Sequence, residues 1–191
     1  MDAFHIDRES SLICGQQPAL YAPCLPEQRF QTFMTTNFPA GISRAGEVFL
    51  SDVPVNDIHT YNQRVKETEF ESIRRLYFPE KPSRFQCFFA LESLQDVQIW
   101  LRAFKDEKKE QPCTVWKVSV DNEAFITRQD ATWRDRDCQS DIGIIYSAWE
   151  NHMDGHAYWR GDVSDNPRPE LLIPLTRCIV TVIEPVARYI I

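Results

Sequence analysis

The stretch RRLYFPEKPSRFQCFFALES, residues 74–93, contains the end of one helix, a strand and the start of a second helix. Pro79 stops the first helix, because proline lacks a backbone donor and clashes with the preceding turn. Side chains in 84–91 alternate between two faces and are rich in phenylalanine, which predicts a strand. Ser93 then caps a helix, and Asp96, three residues later, has the position of a capping-box partner.

Strands are predicted towards both ends of the chain, and helices mainly in its first half. A helix is predicted over 57–78, where apolar residues recur with a period near 3.6. A short helix is expected around 26–33. The expected strands are 3–7, 84–91, 114–120, 170–175 and 178–186, with shorter ones at the end of 37–50, near 142–146 and at 157–161. This order predicts an α+β fold in a single domain over 1–191.

Composition limits the function classes. The 191 residues are 43% hydrophobic, which is enough to build a core. The net charge of −7 argues against a general electrostatic grip on duplex nucleic acid. No apolar run is long enough to span a membrane, and the first residues do not form a signal peptide, so we expect a cytoplasmic protein. The six scattered cysteines are expected to be free, buried thiols rather than disulfides.

Three side chains stand at positions where a ligand could be held, and each has a plain structural alternative. His5 in the first strand could hydrogen-bond a ribose hydroxyl, or be an ordinary half-buried strand histidine. Arg84, after Ser83 and before a capped helix, could bind a pyrophosphate, or pair with a carboxylate. Glu170, at the mouth of the strand LLIPL, could stabilise positive charge, or be an exposed loop residue.

Other motifs argue against several enzyme classes. His152 and His156 have the i, i+4 spacing of metal ligands, but Gly155 lies between them and no third ligand is evident, so no metal site is expected. A loop whose aromatic side chains line a pocket is the preferred interpretation of this segment. The chain contains no phosphate-binding loop, dinucleotide fingerprint, zincin motif or nucleophile elbow, so the corresponding kinase, dehydrogenase, protease and hydrolase functions have no support.

Taken together, these segments resemble the ADP-ribosyltransferase superfamily, and within it an uncharacterised bacterial branch. The segments that carry the resemblance are HID (5–7), FPAGISRAGE (38–47) and RRLYFPEKPSRFQCFFALES (74–93), followed by the strand VWKV and a late Glu before LLIPL. The resemblance covers most of the chain and is thin over 121–156. It implies a split β-sandwich of two small sheets flanked by helices.

The resemblance also implies NAD as substrate and a catalytic pair of His5 and Glu170. His5 would hold a ribose, and Glu170 would favour the oxocarbenium character that develops as the glycosidic bond breaks. The NAD-binding residues implied are His5, Arg44, Ser83, Arg84, Phe85, Phe88, Tyr158 and Trp159, with Tyr77 as a further candidate for stacking on nicotinamide. The chain departs from the family pattern in lacking a tyrosine on the middle strand.

These features lead to a hypothesis and two alternatives. The hypothesis is a mono-ADP-ribosyltransferase that modifies a protein or single-stranded nucleic acid, as a toxin or defence effector with a possible cognate inhibitor. The first alternative is an NAD glycohydrolase, which uses water as the acceptor. The second is a catalytically inactive binding module that keeps the fold, which the missing tyrosine and the five tryptophans favour.

Overall fold

The computed structural model describes residues 1–22, 27–50, 58–105, 111–136 and 144–190, with backbone alone for 58–62 and 144–147. The elements are β1 (Asp2–Asp7), α1 (Gln28–Asn37), α2 (Arg44–Leu50), α3 (Ile58–Tyr77), β2 (Cys87–Ala90), α4 (Leu94–Lys105), β3 (Pro112–Val120), β4 (Thr127–Asp130), α5 (Thr132–Asp135), α6 (Ile144–Arg160), β5 (Pro169–Pro174) and β6 (Val180–Ile190). Short 3-10 turns lie at Arg84–Gln86 and Glu123–Phe125. The α+β class predicted from the sequence is confirmed.

Two small antiparallel sheets form the centre of the fold. The first has the strand order β1-β3-β6 and the second β2-β5-β4. An isolated backbone bridge links them, where Phe4 and Leu91 exchange hydrogen bonds of 2.8 and 2.7 Å. Within the described parts of the chain no other backbone pairing joins strands of the two sheets, so the sheets separate and can enclose a core.

The second sheet is covered on both faces, by different kinds of neighbour. Successive side chains of a strand point to opposite faces, so each strand contributes to both. The face towards the first sheet belongs to the core cluster Ala3, Phe88, Ala90, Val118, Val120, Ile126, Leu171, Ile173, Cys178, Val180 and Val182. The opposite face packs against α3 and α6 through the cluster Phe70, Ile73, Cys87, Tyr158, Trp159 and Leu172. We call these the inner face and the helix face.

Helix α4 begins as the sequence predicts. The Ser93 hydroxyl accepts from the Asp96 amide at 3.2 Å, and the Asp96 carboxylate accepts from the Ser93 amide at 3.0 Å. This reciprocal capping box satisfies donors that an uncapped helix leaves open. The apolar side of α4 then packs with Leu91 and Val115 across β1 and β3, which fixes the end of β2.

The strand expected at the end of 37–50 is wrong, because Arg44–Leu50 is helix α2. The Ser43 hydroxyl accepts from the Gly46 amide at 3.1 Å and so starts the helix. Gly46 allows the helix to approach the 3-10 turn, since a β-carbon there would lie 2.3 Å from the Phe85 carbonyl oxygen. A glycine interpreted as a loop residue is therefore a close-packing position.

The strand expected at 157–161 is also wrong, because α6 runs to Arg160 and Gly161 follows as a turn. The strand expected near 142–146 falls on residues 142 and 143, which lie outside the described residues, and on the first turn of α6. Gly155 belongs to a segment that was interpreted as a loop, but it lies inside α6. A β-carbon there would come within 2.4 Å of Ile73 Cδ1, so glycine permits close packing of α6 on α3.

Cysteine pairing follows the expectation only in part. Cys14, Cys87, Cys113 and Cys178 are free, but Cys14 is exposed instead of buried. Cys24 and Cys138 lie outside the described residues.

Over the described ranges, no helix combines the length and apolar character needed to cross a membrane.

Candidate functional site

Arg84 is the centre of a buried charge cluster on the helix face. Its guanidinium is 1% exposed and binds Glu67 through two hydrogen bonds, of 2.8 Å from Nε and 3.1 Å from Nη2. Its Nη1 donates to Glu170 Oε1 at 2.5 Å. Burial by itself lowers the pKa of Arg84, but the two carboxylates outweigh it and raise that pKa well above its ordinary value. Arg84 is therefore a permanent buried cation.

Tyr158 completes the coordination of Glu170. Its hydroxyl donates to Glu170 Oε1 at 2.6 Å and accepts from Arg84 Nη1. Burial, followed by the effect of the Glu170 carboxylate, raises the pKa of Tyr158 well above its ordinary value, although Arg84 opposes this. The phenol stays protonated and acts as a donor. Thus both Arg84 and Tyr158 hold the same oxygen of Glu170.

Several elements converge to form this cluster. Glu67 comes from α3, Tyr158 from α6 and Glu170 from β5. The 3-10 turn that carries Arg84 is started by Ser83, whose hydroxyl accepts from the Phe85 amide at 3.3 Å. The same hydroxyl donates to Glu71 on α3 at 3.0 Å. The sequence thus aims the Arg84 side chain into the space between the helices and the sheet.

His5 lies on the other side of the second sheet. Its ring contacts the Phe88 ring, with centroids 4.5 Å apart, and Phe88 belongs to the inner-face core. His5 Nδ1 lies 2.7 Å from the Phe89 carbonyl oxygen. A carbonyl only accepts, so Nδ1 carries the proton and Nε2 is the acceptor of the neutral ring. Burial lowers the pKa of His5, which keeps the ring neutral at pH 7.

The expectation that His5 and Glu170 meet across one groove is therefore wrong. Residues 171 and 173 of β5 point to the inner face, as His5 and Phe88 do, whereas Glu170 and Leu172 point to the helix face. The body of the second sheet stands between the imidazole and the carboxylate. Glu170 was assigned to the correct strand, but its side chain points to the helix face and not to the face on which His5 lies.

The remaining predicted contacts to NAD are engaged within the protein. Arg44 is exposed and pairs with Glu9 at 3.2 Å and with Glu47. The side chains of Tyr158 and Trp159 are fully buried, and the Trp159 indole donates to the Phe70 carbonyl at 2.8 Å. Ser83, Arg84, Phe85 and Phe88 are buried as well. Of the eight predicted NAD contacts, only His5 and Arg44 are not buried, His5 being half-buried and Arg44 exposed.

The aromatic segment around His152 is part of α6 and not a pocket loop. The His152 and His156 rings are 4.9 Å apart, and Tyr77 lies 4.7 Å from His156 on the same exposed surface. Tyr77 is the last residue of α3, which packs on the helix face of the second sheet and not on the inner face. Among the described residues, no group of three or more His, Cys, Asp or Glu is arranged to hold a metal ion.

A cavity of about 530 Å³ lies on the face of the first sheet that carries His5. Its lining residues are Asp7, Ser10, Leu12, Pro112, Cys113, Thr114, Trp116, Arg188, Tyr189 and Ile190. Trp116 is the cross-strand partner of His5, and Thr114 is flanked by Asp7 and Arg188 in the neighbouring strands, so these side chains share one face. We call this the His5-side cavity.

Two groups of the His5-side cavity can bind a ligand. The Trp116 indole N–H is buried and has no partner in the part of the chain described. Arg188 is exposed and forms no ion pair with any described residue. Asp7, in contrast, is occupied: its carboxylate accepts from the amides of Glu9, Ser11 and Leu12, at 3.0–3.2 Å, and shapes the rim of the cavity. An aromatic ring next to an exposed cation that has no ion pair among the described residues suits a nucleotide.

A second cavity, of about 330 Å³, lies at the β4–β5 edge of the second sheet. It is lined by Glu92, Arg128, Gln129, Asp130, Gly161, Val163, Pro167, Pro169, Glu170 and Leu171. We call this the β4-edge cavity. Of the two sequence-predicted catalytic residues, Glu170 lines this cavity, and His5 is among the lining residues of neither cavity.

Sequence analysis missed Glu67, Trp116, Gln129 and Arg188. Glu67 had a usable signal: it lies three residues before Phe70 and four before Glu71, so it shares the apolar stripe of α3 and must find a buried cation. The alternation in TVWKVSV places Trp116 on one face of a strand but cannot tell that a cavity lies above it. Gln129 belongs to the polar strand TRQD, which carries no apolar period at all.

No curated protein is significantly similar to the chain. The chain matches the family described as "protein of unknown function (DUF2441)" over residues 3–185. Because this match covers nearly all of the 191 residues, the chain belongs to the DUF2441 family.

Proposed function

We propose that this protein is an ADP-ribosyltransferase-like binding module, which takes NAD or its nucleotide part in the His5-side cavity without cleaving it. The observation that carries the proposal is the separation of His5 from Glu170 by the second sheet. Cleavage of the glycosidic bond needs a carboxylate close to the developing positive charge. Glu170 instead pairs with Arg84 and Tyr158 on the helix face.

The architecture is compatible with the resemblance on which the proposal rests. Two three-stranded sheets separate from one bridge between Phe4 and Leu91, and helices cover their outer sides. This agrees with a split sandwich at the level of element order and layering. A fold of this kind can keep its binding face after losing its catalysis, because function resides in the site and not in the fold.

The groups at the His5-side cavity support a nucleotide as ligand. Arg188 offers a planar cation for a phosphate and Trp116 offers an aromatic ring, while His5, the cross-strand partner of Trp116, is not among the residues that line the cavity. The volume of about 530 Å³ falls within the range of about 300–1,000 Å³ that is typical of small-molecule sites. The acidic protein thus has at this cavity a cation, Arg188, that forms no ion pair with the described residues.

The test is titration calorimetry with NAD, combined with chromatography of the NAD after overnight incubation. We expect binding without conversion to ADP-ribose or nicotinamide. Arg188→Gln should weaken binding about tenfold or more, because a charge-assisted hydrogen bond contributes about 1.5–3 kcal/mol. Arg102→Gln, on the exposed side of α4, is the matched control and should bind as the parent does.

Two results would contradict the proposal in different ways. Absence of binding at millimolar NAD would remove NAD as the ligand. Turnover that disappears in Glu170→Gln would restore the transferase or the glycohydrolase, and labelled products would then separate them: free ADP-ribose alone means hydrolysis. The macromolecular acceptor, the cognate inhibitor, the toxin or defence role and the cytoplasmic location stay predictions.

A further inference from the structure

His152 and His156 stand one turn apart on the outer surface of α6. In the sequence, Gly155 argues against a helical pair, yet Ile144–Arg160 is one continuous helix that contains this glycine. Residues four apart in a helix lie on the same side of it. The two imidazoles therefore project from one face of α6, and both residues are partly exposed, with 38% of the His152 side chain accessible.

The spacing of these two rings is that of a metal chelate. Their centroids are 4.9 Å apart, with an angle of 65° between the ring planes. Two imidazoles that bind one ion through bonds of about 2.0–2.1 Å, at an angle between about 90° and 109°, have centroids about 4.5–5.2 Å apart. The observed separation falls inside this interval, so rotation of the side chains is enough to bind an ion and the helix need not move.

Aromatic side chains from both helices hold the two rings in place. The His156 ring packs against Tyr77 and Phe78, at and just after the end of α3, with centroids 4.7 and 5.8 Å away. The His152 ring lies 6.1 Å from the ring of Trp149, three residues earlier in α6. Side chains that are already ordered lose less rotamer freedom when they bind a ligand.

A carboxylate from α3 orients His152. Glu69 Oε1 lies 3.7 Å from His152 Nδ1 and favours the tautomer that carries the proton there, which leaves the lone pair on Nε2. Metal-binding histidines commonly have a carboxylate at the ring nitrogen that does not bind the metal. The close approach of α3 to α6 depends on Gly155, where a β-carbon would lie 2.4 Å from Ile73 Cδ1.

We propose that His152 and His156 together bind a single divalent transition-metal ion through one ring nitrogen each. Imidazole is a preferred ligand of Zn²⁺, Cu²⁺ and Ni²⁺, whereas Mg²⁺ and Ca²⁺ prefer oxygen ligands. In the described part of the chain, no group of three or more His, Cys, Asp or Glu is arranged to hold an ion. The pair therefore leaves coordination positions of the ion open for water or for a group of a bound ligand.

The test is calorimetric titration of the full chain, without an affinity tag, with nickel chloride and with magnesium chloride at pH 7.5. Ni²⁺ suits imidazole, and thiolates favour Zn²⁺ and Cu⁺ instead, so nickel is the probe that discriminates best against the exposed thiol of Cys14. We expect a single Ni²⁺ to bind, Cu²⁺ to bind more tightly than Ni²⁺, and Mg²⁺ not to bind. Absence of nickel binding, or equal binding of magnesium, would overturn the proposal.

Single variants show whether the pair holds the ion. His156→Gln and His152→Gln should each lower the nickel affinity by about tenfold or more, because even groups that only orient a metal ligand contribute about 10–100-fold. His59→Gln is the matched control and should leave the affinity unchanged, since no histidine lies three or four residues from His59. If Cys14→Ser abolishes nickel binding while both α6 variants keep it, the proposal fails.

A rearranged pair tests the helical spacing itself. His156→Gln combined with Met153→His keeps the number of histidines but makes them neighbours in the sequence, and adjacent residues of a helix do not face each other. Met153 is 60% exposed, so its replacement does not disturb the core. We expect this protein to bind nickel as weakly as His156→Gln alone does. An affinity equal to that of the parent would show that the spacing is irrelevant and that α6 provides no chelating site.

Discussion

The two faces of the second sheet use the same strands for opposite purposes. On the inner face, Leu171 and Ile173 of β5 join a cluster of apolar side chains between the sheets. On the helix face, Glu170 of the same strand joins a buried ion cluster with Arg84 and Tyr158. Burial of charge is costly unless the charges are paired and hydrogen-bonded, so only the helix face depends on exact partners. A carboxylate next to an apolar strand can therefore be a structural element rather than a catalytic one.

The comparison also shows what each face holds together. The inner face joins strand to strand through contacts that no single residue dominates. On the helix face one guanidinium joins the 3-10 turn to α3 through Glu67 and to β5 through Glu170, and Tyr158 adds α6. Removing one member of such a cluster leaves the others charged and unpaired. The two faces should consequently respond to single substitutions with different magnitudes.

The largest effect is expected for Arg84→Met. This change keeps the length of the side chain but leaves Glu170 buried without its cation and Glu67 with Arg134 alone at 3.3 Å, so the free energy of unfolding should fall by about 3–5 kcal/mol. Urea denaturation measures it. The matched control is Arg128→Met, which breaks a pair with Glu92 in which both side chains are 49% exposed.

Exposed ion pairs are screened by water, so the Arg128→Met change should cost about 0–1 kcal/mol. Equal losses in the two variants would mean that the Arg84 cluster is not shielded from solvent. The two faces would then not differ in how strongly a single substitution lowers the free energy of unfolding.

A middle-sized effect is expected for Tyr158→Phe. Loss of the hydroxyl removes the donor to Glu170 and an acceptor for Arg84 while the ring stays in place, so unfolding should become easier by about 1–3 kcal/mol. On the inner face, Ile173→Val deletes one methylene and should cost about 0.5–1.5 kcal/mol. Denaturant titrations of both variants compare the loss in free energy of unfolding on the helix face with that on the inner face. A Tyr158→Phe protein as stable as the parent would show that its hydroxyl is dispensable.

The sequence allowed the prediction of elements whose signals are local. The β2 strand and the capped start of α4 follow from side-chain alternation and from a capping pair within four residues, and both are present. The amphipathic helix α3 and the strand predicted at 170–175, which contains Leu171, are likewise present. The candidate site could be predicted less well. The face of the sheet to which a side chain such as that of Glu170 points can be known only once it is known which surfaces the helices cover, and this is decided by contacts between residues far apart in the chain.

The errors have a common physical origin. Gly46 lies in a segment that was expected to end as a strand, and Gly155 was used as an argument against a helical histidine pair, yet both lie in helices and allow close packing against Phe85 and Ile73. A glycine does not reveal from sequence whether it is needed for its backbone angles or for its small size. The same holds for Glu170: its position at the mouth of a strand was visible, but its partners are 86 and 12 residues away.

The smallest effect is expected for the pH dependence contributed by His5. Burial lowers the pKa of His5 in the folded protein below its ordinary value of 6.5, so the unfolded chain binds the proton more readily. The stability that this provides is complete above about pH 6.5 and is lost as the pH falls through the lowered pKa.

His5→Asn, whose amide can still donate to the Phe89 carbonyl, does not titrate. The drop in melting temperature between pH 7.5 and pH 5.5 should therefore be smaller in this variant than in the parent. His156, whose pKa is also lowered, is common to both proteins, so its contribution cancels in the comparison. An equal drop in the two proteins would mean that the imidazole is as hydrated as in the unfolded chain, and that the inner face is open at His5.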